Sequence, residues 1–167
     1  MIGIVAVDEN WGIGYKGDLL YSIPEDKKDH FKALTIGKTV VMGRATFDSL
    51  PNRKPLKNRV NIVLSRDTNL FIDSVVVVSS KEELFEILKS YSSDDVFIIG
   101  GQQIYKMLYN YCSIIYVTKI MESKAADRYF PNIDLLDNWE VESISQEKDY
   151  NGLKYFYYKY RNTDLLT

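Results

Sequence analysis

The stretch DVFIIGGQQIYKML, residues 95–108, decides the fold. Asp95 to Ile99 is a short, mostly apolar run of strand-forming side chains. Gly100-Gly101 follows. Then Ile104, Met107, Leu108 and Tyr111 recur at the spacing of one helix face. A buried strand, a glycine pair and a helix in direct succession are the parts of a parallel α/β sheet. Similar strand ends lie upstream. Thr39 to Met42 ends at Gly43-Arg44 and leads into a short helix, Ala45 to Leu50, stopped by Pro51. Arg59 to Leu64 ends at Ser65-Arg66. Val75 to Val78 is wholly apolar. Ser80 and Glu83 then stand at capping-box spacing before a helix with Leu84, Ile87 and Leu88 on one face.

Working outward, Ile2 to Val7 and Ile114 to Ile120 read as further strands. Trp139 to Ile144 and Leu153 to Tyr160 alternate more, with Asn151-Gly152 as a hairpin signal between them, so an antiparallel edge closes the sheet. Asp8 to Asp18 reads as a loop. Its Gly12, Gly14 and Gly17 match a dinucleotide fingerprint, but no helix can open at the third glycine, because Pro24 sets the first helix start. The glycines are expected to let a mobile loop turn. Glu25 to Leu34 is that first helix, with Glu25 and Asp26 in a first turn that suits acidic side chains. A carboxylate there, beside an apolar loop, can be desolvated on a pocket floor and fit for proton work.

The chain has 167 residues with 46% hydrophobic and 26% charged side chains, an ordinary globular composition that fits one domain. A net charge of −2 argues against a nucleic-acid binder with a broad basic face. The tyrosines near the end, Tyr155, Tyr157, Tyr158 and Tyr160, fit strand propensity better than base stacking. Cys112 is the only cysteine and forms no internal disulfide, so a cytoplasmic location is expected. No apolar run spans a bilayer, and the start lacks a signal peptide's pattern. No stripe or patch asks for a partner, so a monomer is expected. One histidine, one cysteine and no nucleophile motif give no hydrolase, and no cluster of ligating residues gives a metal site.

Ligands of open α/β sheets sit beyond the carboxyl ends of the strands. Gly43-Arg44, Ser65-Arg66 and Gly100-Gly101 would there share one crevice. Glycine backbone, helix N-termini and arginine forks suit a phosphate-rich dinucleotide, and Arg44, Ser65 and Arg66 suit the extra phosphate of NADP.

The segments Val41-Met-Gly-Arg-Ala-Thr-Phe47, Asn58-Arg-Val-Asn-Ile-Val-Leu-Ser65 and Ile98-Ile-Gly-Gly-Gln-Gln-Ile-Tyr105 resemble bacterial dihydrofolate reductases. So do Ile4-Val-Ala-Val-Asp8, the Gly-Ile-Gly loop and Ile23-Pro-Glu-Asp26, in the family's order and over nearly the whole chain. The resemblance implies a three-layer α/β fold over 1–167. Its sheet is central, mostly parallel and eight-stranded, with an antiparallel C-terminal edge strand and four flanking helices. It implies hydride transfer from NADPH to 7,8-dihydrofolate, giving tetrahydrofolate for one-carbon metabolism. Asp26 matches the pocket carboxylate that binds the pterin and favours its protonation at N5. Leu19 matches the loop residue over the nicotinamide, and Tyr21 the ring two residues on. Val5, Ala6, Phe31, Leu50, Leu56, Ile99, Tyr105 and Thr118 match substrate-site positions, and Arg59 matches the arginine that pairs with the glutamate tail. Ala6, Ile13, Gly43, Arg44, Ala45, Thr46, Leu64, Ser65, Arg66, Gly100, Gly101, Gln102, Gln103, Ile104 and Tyr105 match the cofactor site, with a cis Gly100–Gly101 bond.

Two departures stand out. The family has Trp where this chain has Tyr21. Counted from Pro24 the carboxylate is Asp26, but counted from Phe31 its position falls on Lys27, so one residue is inserted within Lys27 to His30. A π-bulge is the expected way to absorb it. His30, four residues after Asp26, is expected at a rim rather than in a catalytic pair. The rival readings are a same-fold reductase of another heterocycle, against which Arg59 counts, and an NADPH or folate binder whose insertion misplaces Asp26.

Overall fold

The computed structural model describes residues 1–167. The strands in chain order are β1 Ile2–Val7, β2 Gly12–Tyr15, β3 Asp18–Leu19, β4 Thr39–Gly43, β5 Val60–Leu64, β6 Val76–Val78, β7 Val96–Gly100, β8 Ile114–Ile120, β9 Arg128–Tyr129, β10 Trp139–Ile144, β11 Lys148–Tyr150 and β12 Leu153–Asn162. A π-helix, Glu25–Phe31, runs directly into α1, Lys32–Thr35, and is followed by α2 Arg44–Asp48, α3 Lys81–Leu88 and α4 Gln102–Leu108.

The central sheet runs β10-β12-β8-β1-β7-β4-β5-β6, parallel from β8 to β6. At the other side β12 lies antiparallel to β8, with β10 and the short β11 antiparallel to β12. Period-2 alternation sorts the strand side chains onto two faces. Val5, Val7, Val41, Ile62, Leu64 and Ile98 pack with Leu84 of α3 and Ile104 and Leu108 of α4. Ile2, Ile4, Val40, Met42, Val63 and Phe97 pack with Phe47 of α2, and Phe31 and Leu34 lie against them. The sheet is therefore covered on both sides, which is why its inner strands read as unbroken apolar runs.

Local chemistry explains the ends of the elements. Ser80 Oγ accepts the Glu83 N–H at 3.1 Å, while Glu83 reaches back to the N–H of Ser79, at 2.7 Å, rather than to that of Ser80. Such a cap is worth about 1 kcal/mol. Asn151-Gly152 does turn a hairpin, but it joins β12 to β11, not to β10. The stretch expected as a loop, Asp8 to Asp18, contains β2 and the start of β3, which form a small sheet with β9. Of its glycines only Gly17 has the positive φ of a turn, +86°. Gly12 is extended, and a Cβ there would lie 2.9 Å from Ala126 Cβ and 3.0 Å from Asp8 Oδ1, so it serves close approach. No helix is long and apolar enough to cross a membrane.

Candidate active site

Register brings Ala6 of β1 beside Thr118 of β8, and Thr118 beside Tyr157 of β12. Side chains opposite one another on neighbouring strands share a face. The π-helix lies over this row. Thr118 Oγ1 donates to Asp26 Oδ1 at 2.7 Å. Burial raises the pKa of Asp26 above the ordinary carboxylate value, against the Thr118 bond and Lys27, which lower it, while Glu25 raises it further. Desolvation wins, so this carboxyl holds a proton more readily than a surface aspartate.

The π-helix explains how the inserted residue leaves Asp26 in place. Its hydrogen bonds run from i to i+5, so residues five apart stack above one another. Asp26 and Phe31 are five apart, and both face inward: Asp26 onto Thr118, Phe31 onto the apolar cluster of the sheet. Lys27, Lys28 and Asp29 are exposed, so the surplus residue is taken up on the solvent side. His30 is half-buried and stacked on Tyr157 rather than paired with Asp26.

An apolar recess adjoins Asp26. Phe31, Leu50, Leu56 and Ile99 are half-buried against the Ile4–Met42–Phe97 cluster. Arg59 stands at the far side, its Nη1 donating to Thr35 Oγ1 at 3.1 Å and its Nε to the Lys57 carbonyl at 2.9 Å. Burial lowers its pKa somewhat. Val5 points away into the opposite core, so only its backbone faces this side. Asn61 was not expected at the site. It is buried, accepts the Leu56 N–H at 2.9 Å and donates to the Leu56 and Arg59 carbonyls, so it pins the loop between them. Its partners are backbone groups, which carry no sequence signature.

The loop over this side is held at its base. Asp8, also unforeseen, is buried and accepts the N–H groups of Asn10, Gly12 and Lys124 at 2.9, 2.8 and 3.1 Å. Ile13 is buried in the main core. Leu19 stands 68% exposed at the end of β3 and is not brought to Asp26. Tyr21 packs against the Ile23–Ile120–Tyr155 cluster, and its hydroxyl is buried without a hydrogen-bond partner. Lys124 Nζ sits 4.2 Å above its ring. Burial pushes the Tyr21 pKa well up.

The strand ends form the second part of the site. Gly100–Gly101 is cis. Thr46 Oγ1 lies 3.3 Å from where a Cβ on either glycine would stand, and Ile104 Cγ1 lies 3.2 Å from one on Gly43. These backbones are thus bare, and larger residues would fill the cradle. Gly43 and Gly101 precede α2 and α4 with no side-chain cap, which leaves the first N–H groups of Arg44, Ala45, Gln102 and Gln103 free of side-chain acceptors from those positions. Gln102 Oε1 is taken by the Tyr129 N–H at 2.6 Å, and Gln103 is exposed. Tyr105 is buried beneath the glycines, donating to the Ile4 carbonyl at 2.8 Å. Leu64 turns to the α3–α4 face, so β5 offers Ser65 and Arg66 beyond its end. Ser65 Oγ accepts the Asp67 N–H at 3.2 Å and keeps its own proton to donate. Arg44 is tied to Asp48 at 3.1 Å, whereas Arg66 is exposed and engaged in no ion pair.

One desolvated carboxyl beside an apolar recess, next to a bare cradle with a hydroxyl and a free guanidinium, suits a flat heterocycle beside a phosphate-bearing dinucleotide. The family model for dihydrofolate reductase matches residues 1–162. The dihydrofolate reductase of Bacillus subtilis is 35% identical over 164 residues, 96% of this chain and 94% of that protein. That of Mycobacterium tuberculosis is 34% identical, over 98% of this chain and 99% of its own. The solved dihydrofolate reductase of Enterococcus faecalis, complexed with NADP(H) and RAB-propyl, superposes with a TM-score of 0.86 at 34% identity. The match covers 98% of this chain and 96% of that one.

Proposed function

Because the chain belongs to the dihydrofolate reductase family, we propose that it reduces 7,8-dihydrofolate to 5,6,7,8-tetrahydrofolate, with Asp26 as the carboxyl that does the proton work. The observation that carries this is the Thr118–Asp26 hydrogen bond, which the π-helix preserves despite the inserted residue. The whole of 1–167 acts as one domain and as a monomer, in the cytoplasm, where its product enters one-carbon metabolism and antifolates act on it. The lone, buried Cys112 agrees with a reducing compartment.

NADPH supplies the hydride when bound. Gly43, Gly100 and Gly101 let its backbone-contacting parts approach closely, Ala45, Thr46, Gln102, Gln103 and Ile104 line the strand ends, and Ser65, Arg66 and Arg44 receive its extra phosphate. Asp26 accepts hydrogen bonds from the pterin N3 and 2-amino group, and Thr118 fixes the orientation of the carboxylate as it does so. The pterin so polarised takes its proton at N5 from water admitted past the Leu19 loop. Ala6, Phe31, Leu50, Leu56 and Ile99 hold the two rings of the substrate in a dry recess, where stacking and exclusion of water favour the transfer. Arg59 forks onto the glutamate carboxylate. Closure of the loop brings Leu19 over the reacting rings, with Tyr21 packed at the loop's end against Ile23 and Ile120.

The test is loss of NADPH absorbance on adding dihydrofolate, with tetrahydrofolate identified as product. Rapid, stoichiometric conversion is expected. Tight NADPH binding without turnover would overturn the proposal and leave a binding protein. The phosphate assignment predicts that Arg66→Ala raises KM for NADPH about 10–100-fold, the loss of a charged hydrogen bond, and barely changes KM for NADH. Arg44→Ala has the smaller effect, because Asp48 already offsets its charge.

A further inference from the structure

Seven residues in one π-helix need a local cause, because i to i+5 winding is rare and is met mostly as single turns. Two rows of side chains face the sheet from this segment. Asp26 and Phe31 form the inner row, on Thr118 and on the Ile4–Met42–Phe97 cluster. Glu25 and His30, also five apart, form the outer row, and both are fastened to β12. Glu25 accepts the Tyr155 hydroxyl at 2.7 Å and pairs with Lys148 of β11 at 3.2 Å. His30 stacks on Tyr157 with ring centroids 3.9 Å apart and planes 14° from parallel, and meets Tyr116 of β8 edge-on at 6.3 Å. Tyr155 and Tyr157 are two residues apart on one strand, so they share a face, with rings 5.7 Å apart. One turn of the outer row therefore spans one same-face step of β12.

Resting on Asp26 as the carboxyl that does the proton work, we propose that Glu25 and His30 are positioning residues: clasped to Tyr155 and Tyr157, they hold the segment in its π register and so keep Asp26 on Thr118.

An α-helix over the same residues would break the clasp. With i to i+4 winding, the residue one turn after Glu25 is Asp29, and the residue one turn after Asp26 is His30. Asp29 would then lie at Tyr157, where a carboxylate meets the negative face of a ring. His30 would take the place of Phe31 and carry a polar ring into the apolar cluster. Only the π register gives the outer row its acceptor for Tyr155 and its flat ring for Tyr157. Tyr155 is wholly buried, so leaving its hydroxyl without the Glu25 acceptor is costly. Glu25 and Asp26 are adjacent in the chain, and His30 directly precedes Phe31. Fixing the outer row at both ends therefore fixes the inner row.

The test compares the full chain with one from which Lys28, an exposed residue of the segment, is deleted. In the shortened chain Asp26 and Phe31 are four apart, so an ordinary α-helix faces both inward without a clasp. His30→Ala together with Tyr155→Phe, which keeps the Tyr155 ring, is made in each. The readouts are the single-turnover rate of dihydrofolate reduction and, in the ligand-free protein, NOEs from the Phe31 ring to the Ile4–Met42–Phe97 cluster. In the full chain the pair of substitutions is expected to cut the rate about 10–100-fold, the scale of a small misplacement of a reacting group, and to remove the NOEs, while NADPH affinity holds. In the shortened chain the pair leaves both readouts where the deletion alone set them. His30→Phe, which restores a stacked ring, keeps the full chain at the parent rate. Equal losses in both chains would overturn the proposal, since they would mark general packing rather than register. So would a full chain indifferent to the pair, or His30→Phe as impaired as His30→Ala. A chain that reduces no dihydrofolate, yet loses the Phe31 NOEs only at full length, would sink the reductase reading and leave this one standing.

Discussion

Asp26→Asn is expected to slow hydride transfer to dihydrofolate about 10²–10⁴-fold near neutral pH, the usual reach of a positioned acid or base. The same substitution is expected to stabilise the ligand-free fold. The two effects share one cause. Burial raises the folded-state pKa of Asp26 above its unfolded value, so the folded protein binds the proton more tightly. The stability this confers is fully present below the unfolded pKa and is lost as pH rises through the folded one. Above the folded pKa the parent keeps an ionised carboxylate where burial disfavours it, and an amide has no such cost. Thermal melts across the acid range check this. The advantage of Asp26→Asn in melting temperature should grow as pH rises through the folded pKa, then level off. It should shrink toward nothing below the ordinary carboxylate range. A mutant less stable than the parent at neutral pH would mean that the Thr118 bond outweighs desolvation.

Arg59→Ala is expected to raise KM for dihydrofolate about 10–100-fold, the worth of a charge-assisted, two-pronged contact. Turnover at saturation should stay within a few-fold of the parent, because the glutamate tail is remote from the transferred hydride. Arg59 has its Nε on the Lys57 carbonyl and Nη1 on Thr35. It is fixed in orientation and has no carboxylate of its own chain to satisfy it. Arg59→Lys should recover little, since an ammonium cannot hold both the carbonyl and a bidentate carboxylate. Steady-state kinetics with dihydrofolate and with a pteridine lacking the tail separate the contributions. A mutant equally impaired on both would show that Arg59 supports the loop rather than binds the tail.

The parallel core was legible because its strands are buried on both faces and carry no competing period. The strand-end glycines and arginines were legible because an open α/β sheet gives their positions one meaning. The missed elements failed for opposite reasons. Strands β2, β3 and β9 are two to four residues long, and two glycines in β2 removed the side chains on which alternation depends. Strand β11 hid because the Asn151-Gly152 turn signal does not say which of two preceding segments it pairs. The inserted residue in Lys27 to His30 was visible as a mismatch of spacing. Its absorption on the solvent side became visible only once Asp26 and Phe31 were both seen to face inward. Asp8 and Asn61 bind backbone groups brought near by the fold, so nothing in their own neighbourhoods marked them. Tyr157 looked like strand propensity alone, since only the β8–β12 register sets it beside Thr118.

The reductase reading requires that the π-helix keep Asp26, and no other carboxylate of that segment, in the pocket. The direct measurement is the single-turnover rate of NADPH oxidation by dihydrofolate in the parent, in Asp26→Asn and in Asp29→Asn. Asp29 is exposed on the same segment, where a shifted helix would bring a different face inward. Loss of the rate in Asp26→Asn, with Asp29→Asn matching the parent, is the expected result. Loss in Asp29→Asn with Asp26→Asn unimpaired would show that Asp29, not Asp26, serves the pocket.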